Sequence, residues 1–177
     1  MILGADQILP NDYLDKIIAR MNRDPNVVIT SGSIEGEFAN VPRGGGRVVR
    51  FDFWKKLGLT YPVNYLYEGY LILKAQSLGY DVEYYPDLIM KTQRKTGTTY
   101  YPKLYFYYGI GLKALGFTLP SFFLAMFSLV KKNPRSSYHL FRGFFSNYDN
   151  LYEPELRSYV RKRQQNNLKQ LRKKIFG

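Results

Sequence analysis

Residues 26–31, NVVITS, place Val27, Val28 and Ile29 in one short unbroken apolar run. A run of that length has no polar face to give to water, so as a strand it needs cover on both sides, which is the situation of an inner strand in an α/β sheet. Residues 13–24, YLDKIIARMNRD, offer one cover. Leu14, Ile17, Ile18 and Met21 recur there at helical spacing, and Asn11 or Asp12 can cap the helix. Before it, Ile2 and Leu3 read as a short strand running into a polar turn that ends in Asp6, and Ile8 and Leu9 form a second short apolar stretch. Strand, helix, strand predicts an α/β fold.

Residues 31–40, SGSIEGEFAN, alternate apolar and polar and read as an outer strand. Three glycines, Gly44, Gly45 and Gly46, then stand between Arg43 and Arg47. Such a run frees the backbone for close approach to a ligand, or equally for a flexible hairpin loop. No Walker-type lysine follows it, and no strand-GxGxxG-helix context surrounds it, so a P-loop or a Rossmann turn is not indicated. Residues 51–57 predict a short helix ending at Gly58. In YLYEGYLILKAQSLGY, residues 65–80, the acid Glu68 opens a helix whose apolar positions are Leu71, Ile72, Ala75 and Leu78 and which Gly79 closes. The macrodipole stabilises an ionised carboxylate at that end, which makes Glu68 the candidate general base. Residues 81–85 and 86–90 read as strand pieces, and the polar loop KTQRKTG, residues 91–97, follows at their carboxyl end, where open α/β sheets collect ligands.

The charge of +12 is divided unevenly. Residues 1–99 carry 12 Lys or Arg and 11 Asp or Glu, whereas residues 100–177 carry 14 and 3. The second part is also aromatic and apolar. YYPKLYFYY, residues 100–108, holds five tyrosines, and residues 109–130 are 22 positions with Lys113 as the only charge. Basic, aromatic and apolar character together suit an anionic surface, either membrane or nucleic acid. Phosphate contacts and ring stacking would serve a nucleic-acid binder, but such a surface has no use for the apolar 22 residues, so nucleic acid is not the expected partner. Length alone permits a span; Gly109, Gly111, Gly116 and above all Pro120 divide the segment into two short helices, favouring an interfacial position over a crossing or a soluble core. Lys131, Lys132 and Arg135 follow it, and residues 153–176 form a basic helix with Leu156, Val160, Leu168, Leu171 and Ile175 on one face. His139 reads as a packing residue.

Cysteine is absent and histidine occurs once, which excludes disulfides, thiolate or multi-histidine metal sites and cysteine nucleophiles, and leaves no basis for a Ser-His-Asp triad. The opening residues MILGADQILP have no basic start and no long apolar run, so no secretion signal is read there.

The ordered set ADQILPNDYL, GGGRVVRFDFWKKLG, YEGYLILKAQSLGYDV and QRKTG, over residues 6–100, resembles the second half of the catalytic domain of family 2 glycosyltransferases of the GT-A fold. The resemblance implies a partial GT-A fold without its nucleotide-binding half in residues 1–107, followed by membrane-associating amphipathic helices in residues 108–177. It implies inverting transfer of a sugar from a nucleotide-diphospho-sugar to an acceptor hydroxyl or lipid phosphate, at the cytoplasmic face of a membrane, with the protein peripheral or monotopic. Asp6 corresponds to the second acid of the family's metal motif and would bind Mg²⁺ or Mn²⁺; Gly4 stands in place of the first. Glu68 corresponds to the base, with Gly69 where the family commonly has a second acid. Gly44, Gly45, Gly46 and Arg47 correspond to the segment beside the donor sugar, and Gln93 and Arg94 to the loop that contacts diphosphate and acceptor. The family's nucleotide-binding strands precede the metal motif, so a missing half or a partner chain is expected to supply them. The other readings are a non-catalytic membrane scaffold derived from such an enzyme and a basic nucleic-acid-binding protein. The isolated 177-residue chain is expected to bind no nucleotide-diphospho-sugar; titration calorimetry that registers micromolar binding overturns this.

Overall fold

The computed structural model describes residues 1–3, 6–36, 41–42, 44–61, 65–93, 102–149 and 151–176, with Tyr67, Ile175 and Phe176 described by backbone alone. The chain forms two compact units, residues 1–61 with 71–98, and residues 62–70 with 99–177.

The first unit contains β1 (Gln7–Ile8), α1 (Tyr13–Arg23), β2 (Val27–Ile34), β3 (Val48–Val49), α2 (Phe51–Lys56), most of α3 (Tyr67–Ser77) and β4 (Asp81–Thr92). Its strands form one mixed sheet in the order β1-β4-β2-β3, with β2 and β4 parallel and both outer pairs antiparallel. The NVVITS run does become an inner strand, and all eight residues of β2 are buried. The alternation of residues 31–34 is therefore part of this inner strand, and residues 37–40 of the expected outer strand lie outside the described residues.

β4 accommodates Pro86, which cannot donate to a ladder, by leaving the register. Gly32 pairs with Tyr85 and Ser33 with Ile89, so residues 86–88 project as a bulge. Arg20 of α1 reaches this bulge, donating from Nη1 to Asp87 Oδ1 at 2.7 Å and from Nη2 to Oδ2, while its guanidinium lies over the Tyr85 ring. That hydrogen-bonded pairing holds the Asp87 carboxyl below the usual carboxylate range.

The buried stripe of α1 is Tyr13, Ile17 and Met21, packed with Val27, Ile34, Leu88 and Met90. Leu14 and Ile18, expected on that stripe, are exposed. The helix is turned by one position because Tyr13 has a polar handle that the sheet can use. Its hydroxyl accepts from the Gly32 N–H at 2.8 Å and donates to the Gly46 carbonyl at 2.7 Å. Asp12 does occupy the N-cap position of α1, but its side chain makes no cap bond and pairs with Lys16 instead. At the other end of the helix, Arg50 donates to the carbonyls of Met21 at 2.6 Å and Val27 at 3.2 Å, satisfying an orphan helix-end acceptor.

The second unit holds the first turn of α3 together with α4 (Pro102–Ala114), α5 (Leu119–Val130), α6 (Pro134–Phe144) and α7 (Pro154–Phe176). The expected junction at 107/108 falls inside α4. Gly109 and Gly111, expected as breaks, lie in the interior of that helix, where each costs about 1 kcal/mol of helix propensity relative to alanine. Close packing offsets the cost. A Cβ on Gly109 would overlap the Leu140 carbonyl, and one on Gly143 would overlap the Phe106 carbonyl, so α4 and α6 meet backbone to backbone. The break between α4 and α5 belongs to Gly116, at φ +82°, where the Phe117 N–H returns to the Leu112 carbonyl in a Schellman turn. Pro120 lies in the first turn of α5, where its missing N–H costs nothing. The unit's core contains Leu112, Phe122, Leu140 and Phe144, with the Phe122 and Phe144 rings stacked at 3.9 Å. Among the described residues no helix is long and apolar enough to cross a membrane.

Tyr13→Phe should orphan a buried donor and a buried acceptor at once and lower stability by about 1–3 kcal/mol, read as an earlier urea midpoint with an unchanged slope.

Candidate functional site

β1 lies antiparallel along the last two residues of β4, pairing Gln7 with Thr92 and Ile8 with Lys91, and this brings Asp6 to the carboxyl end of β4. The Asp6 carbonyl accepts from the Gln93 N–H at 3.0 Å, and its carboxylate accepts from the Thr92 hydroxyl at 3.3 Å. The glycine turn closes on the same place. Gly46, at φ +66°, leaves no room for a Cβ, which would strike Met90 Sδ and the Tyr13 hydroxyl; a Cβ on Gly45 would strike the Gln7 amide. Three expected site elements, Asp6, the glycines and Gln93, are thus gathered at one end of the sheet. Arg94 lies outside the described residues.

Arg47 has a different environment. It is 1% exposed, its guanidinium donates to the Pro42 carbonyl at 3.1 Å, and its own carbonyl accepts from the Ile2 N–H at 2.7 Å. These contacts hold the two ends of the glycine turn and its approach to the sheet. Of the set Gln93 is exposed, Asp6, Gly44 and Gly45 are half-buried, and Gly46 is buried.

Glu68 occupies the first turn of α3, as expected, and belongs to the second unit. It is exposed, while Leu71, Ile72 and Ala75 of its helix are buried and Leu78 is not. Glu68 acts on one neighbour electrostatically: burial first, then Tyr105, then the Glu68 carboxylate raise the Tyr108 hydroxyl above its ordinary pKa. Tyr105 and Tyr108 line a largely apolar cavity of about 600 Å³ bounded by α4, α5 and α6, with Lys132 on its wall. A carboxylate can accept a proton from an acceptor hydroxyl, and an apolar cavity can hold the hydrocarbon chain of such an acceptor. Tyr70 is pushed up to about 12 by burial and by Glu153, to which its hydroxyl donates at 3.1 Å, so it is held as a neutral donor.

For a metal, the only acid among the described residues that this cluster offers is Asp6, and nowhere among them do three or more His, Asp or Glu converge. One carboxylate makes no all-protein cage, but it fits Mg²⁺ or Mn²⁺ carried in by a diphosphate, since Mg²⁺ commonly takes one or two carboxylates together with phosphate oxygens.

The sequence reading missed Gln7, Thr92 and Tyr13. The first two are ordinary polar residues on short strands and carry no local signal. Tyr13 carried one: a tyrosine on the apolar side of an amphipathic helix has a hydroxyl that needs a partner when buried.

Gly69, where the resemblance would place a second acid, has no heavy atom within 4 Å of where a Cβ would stand. Gly69→Ala should therefore stabilise the chain by about 0.5–1 kcal/mol in thermal denaturation, and Gly69→Asp should fold with an unchanged far-UV spectrum. Compared with protein-family models and with curated proteins, the chain shows no match to either.

Proposed function

We propose that the chain carries the acceptor-side half of an inverting GT-A glycosyltransferase of family 2, with Glu68 as general base. The observation that carries this reading is the meeting of Asp6, Gly45, Gly46 and Gln93, drawn from three separate parts of the chain, at the carboxyl end of β4. Open α/β sheets bind ligands at that end.

In the reaction an acceptor oxygen attacks the anomeric carbon in line. The new C–O bond forms as the bond to the diphosphate breaks, and the diphosphate leaves with the electron pair. Glu68 takes the acceptor proton. One base suffices, because a diphosphate leaves without protonation, and inversion follows from the single displacement. Asp6 would hold the divalent cation, whose positive charge offsets that on the leaving diphosphate; Gln93 and, by the resemblance, Arg94 contact the same group. Gly44 and Gly45 let backbone approach the donor sugar. The apolar cavity lined by Tyr105 and Tyr108, the second of which feels the Glu68 carboxylate, suits an acceptor whose hydroxyl is carried on a hydrocarbon chain.

One observation favours a second reading, that of a non-catalytic scaffold: among the described residues Asp6 belongs to no group of three or more His, Asp or Glu that could hold a metal by themselves. The two separate in the source cells, where any further segment or partner chain is present. With Glu68→Gln introduced at the chromosomal locus, membranes supplied with labelled nucleotide-diphospho-sugars should lose transfer by about 10²-fold or more at unchanged protein level. Undiminished transfer assigns the chain to the scaffold reading.

A further inference from the structure

α5 carries no charged residue, and of its twelve residues only Phe122 is buried. Its outward stripe is Pro120, Leu124 and Phe127, continued by Lys131, at the i, i+4, i+7 spacing of one helix face. Phe127 is 59% exposed and Leu124 48%, and Leu119 and Val130 are exposed at the two ends of the helix. With Phe123 this stripe forms one wall of an open apolar trough of about 360 Å³, whose other wall is Leu168, Leu171 and Arg172 of α7. α5 packs Phe122, Phe123, Met126 and Leu129 on the core, and an apolar outer face that the described residues leave uncovered is a face suited to a partner.

We propose that α5 is a membrane-docking helix, lying in the plane of an anionic bilayer with Leu124 and Phe127 buried at the headgroup–acyl boundary. The flanking charge identifies the occupant. Exposed Lys131, Lys132 and Arg135 follow the helix, and Arg172, Lys173 and Lys174 stand on the last turns of α7, with Arg172 on the rim of the trough. No acidic residue occurs from Leu88 through Tyr148. An apolar stripe between two sets of cations matches acyl chains beneath phosphate headgroups. A second copy of this chain would set those cations against each other across the same stripe, with no carboxylate in residues 88–148 to pair them. Nucleic acid would engage the cations and leave Leu124 and Phe127 in water.

The helix lies along the surface and does not cross. Twelve residues extend about 18 Å, well short of the roughly 30 Å hydrocarbon layer. Docking this way rests on the second unit alone and is independent of the sugar-transfer reading, because vesicle binding requires no donor and no base.

The test is flotation of the full chain with vesicles of phosphatidylcholine alone or mixed with phosphatidylglycerol. The chain should float with the mixed vesicles and weakly, if at all, with the neutral ones. Phe127→Asp should reduce partitioning by about tenfold or more, whereas Phe127→Trp should retain it. The pair Lys131→Gln with Lys132→Gln should reduce it by about 30-fold, at about 1 kcal/mol per cation. A circular-dichroism melt accompanies each variant, and the lysine pair decides the matter if Phe127→Asp does not fold. Absence of binding to the mixed vesicles overturns the proposal. So does a vesicle-free dimer that Phe127→Asp converts to monomer, which assigns the stripe to a second copy, or a gel shift with DNA at protein concentrations that leave the mixed vesicles unbound.

Discussion

The first unit depends on one buried hydroxyl. Tyr13 Oη accepts from Gly32, in the middle of the inner strand, and donates to Gly46, at the end of the glycine turn, so a single side chain on α1 sets the distance between helix, sheet and turn. Burial raises the Tyr13 pKa, which keeps the group a donor as well as an acceptor. Both partners are glycines for a reason of space. A Cβ on Gly32 would overlap the Leu88 carbonyl and the Tyr13 ring, and one on Gly46 would overlap the Met90 sulfur. The bulge at Pro86 adjoins the same contact, and Leu88 within it packs in the core cluster that contains Tyr13. The sheet end that gathers Asp6, Gly45 and Gln93 is positioned by this arrangement.

The second unit is organised by close backbone approach and ring stacking. Gly109 and Gly143 let α4 and α6 touch, and that contact brings Phe144 onto Phe122. Tyr65 stacks on Tyr107 at 4.4 Å, Tyr70 stacks on Tyr152 at 4.7 Å, and the Tyr152 hydroxyl donates to the Tyr65 carbonyl. Tyr107, which composition alone would send to a membrane boundary, is therefore occupied inside the unit, and the exposed apolar surface lies on α5 instead. Gln164 of α7 is drawn in by a polar need: its Oε1 accepts from both the N–H and the hydroxyl of Thr118, the residue that precedes α5. The tail helix thus packs through Leu156, Val160 and Gln164 and leaves its last, cationic turns in solvent.

Much of the fold was legible because the signals are local. The run at Val27–Val28–Ile29 requires a doubly covered strand whatever its neighbours, Gly79 closes a helix through its own φ of +82°, and Glu68 begins one through its place before Leu71, Ile72 and Ala75. The site was legible only as a set of pieces. Asp6 and Thr92 stand 86 positions apart, and nothing near either of them shows that β1 folds back along β4. Arg47 shows the same dependence on distant contacts. An arginine after three glycines reads as a ligand contact, and nothing local announces that it is buried with its guanidinium on the Pro42 carbonyl.

What the sequence determined by itself was the chemistry available: an α/β first part, no thiol, one histidine, few acids, and a second part with a long stretch free of negative charge. Those properties depend on residue type and nearest neighbours, and no tertiary contact alters them. The tertiary structure decided which groups are used up and which remain outward. It turned α1 toward Tyr13, placed Gly109 and Gly111 inside a helix that propensity would have broken, buried Arg47, and left Leu124 and Phe127 at the surface of α5. The physical reason is that burial and close contact depend on segments far apart in the chain, and those terms outweigh the fraction of a kilocalorie to about 1 kcal/mol by which local propensities differ.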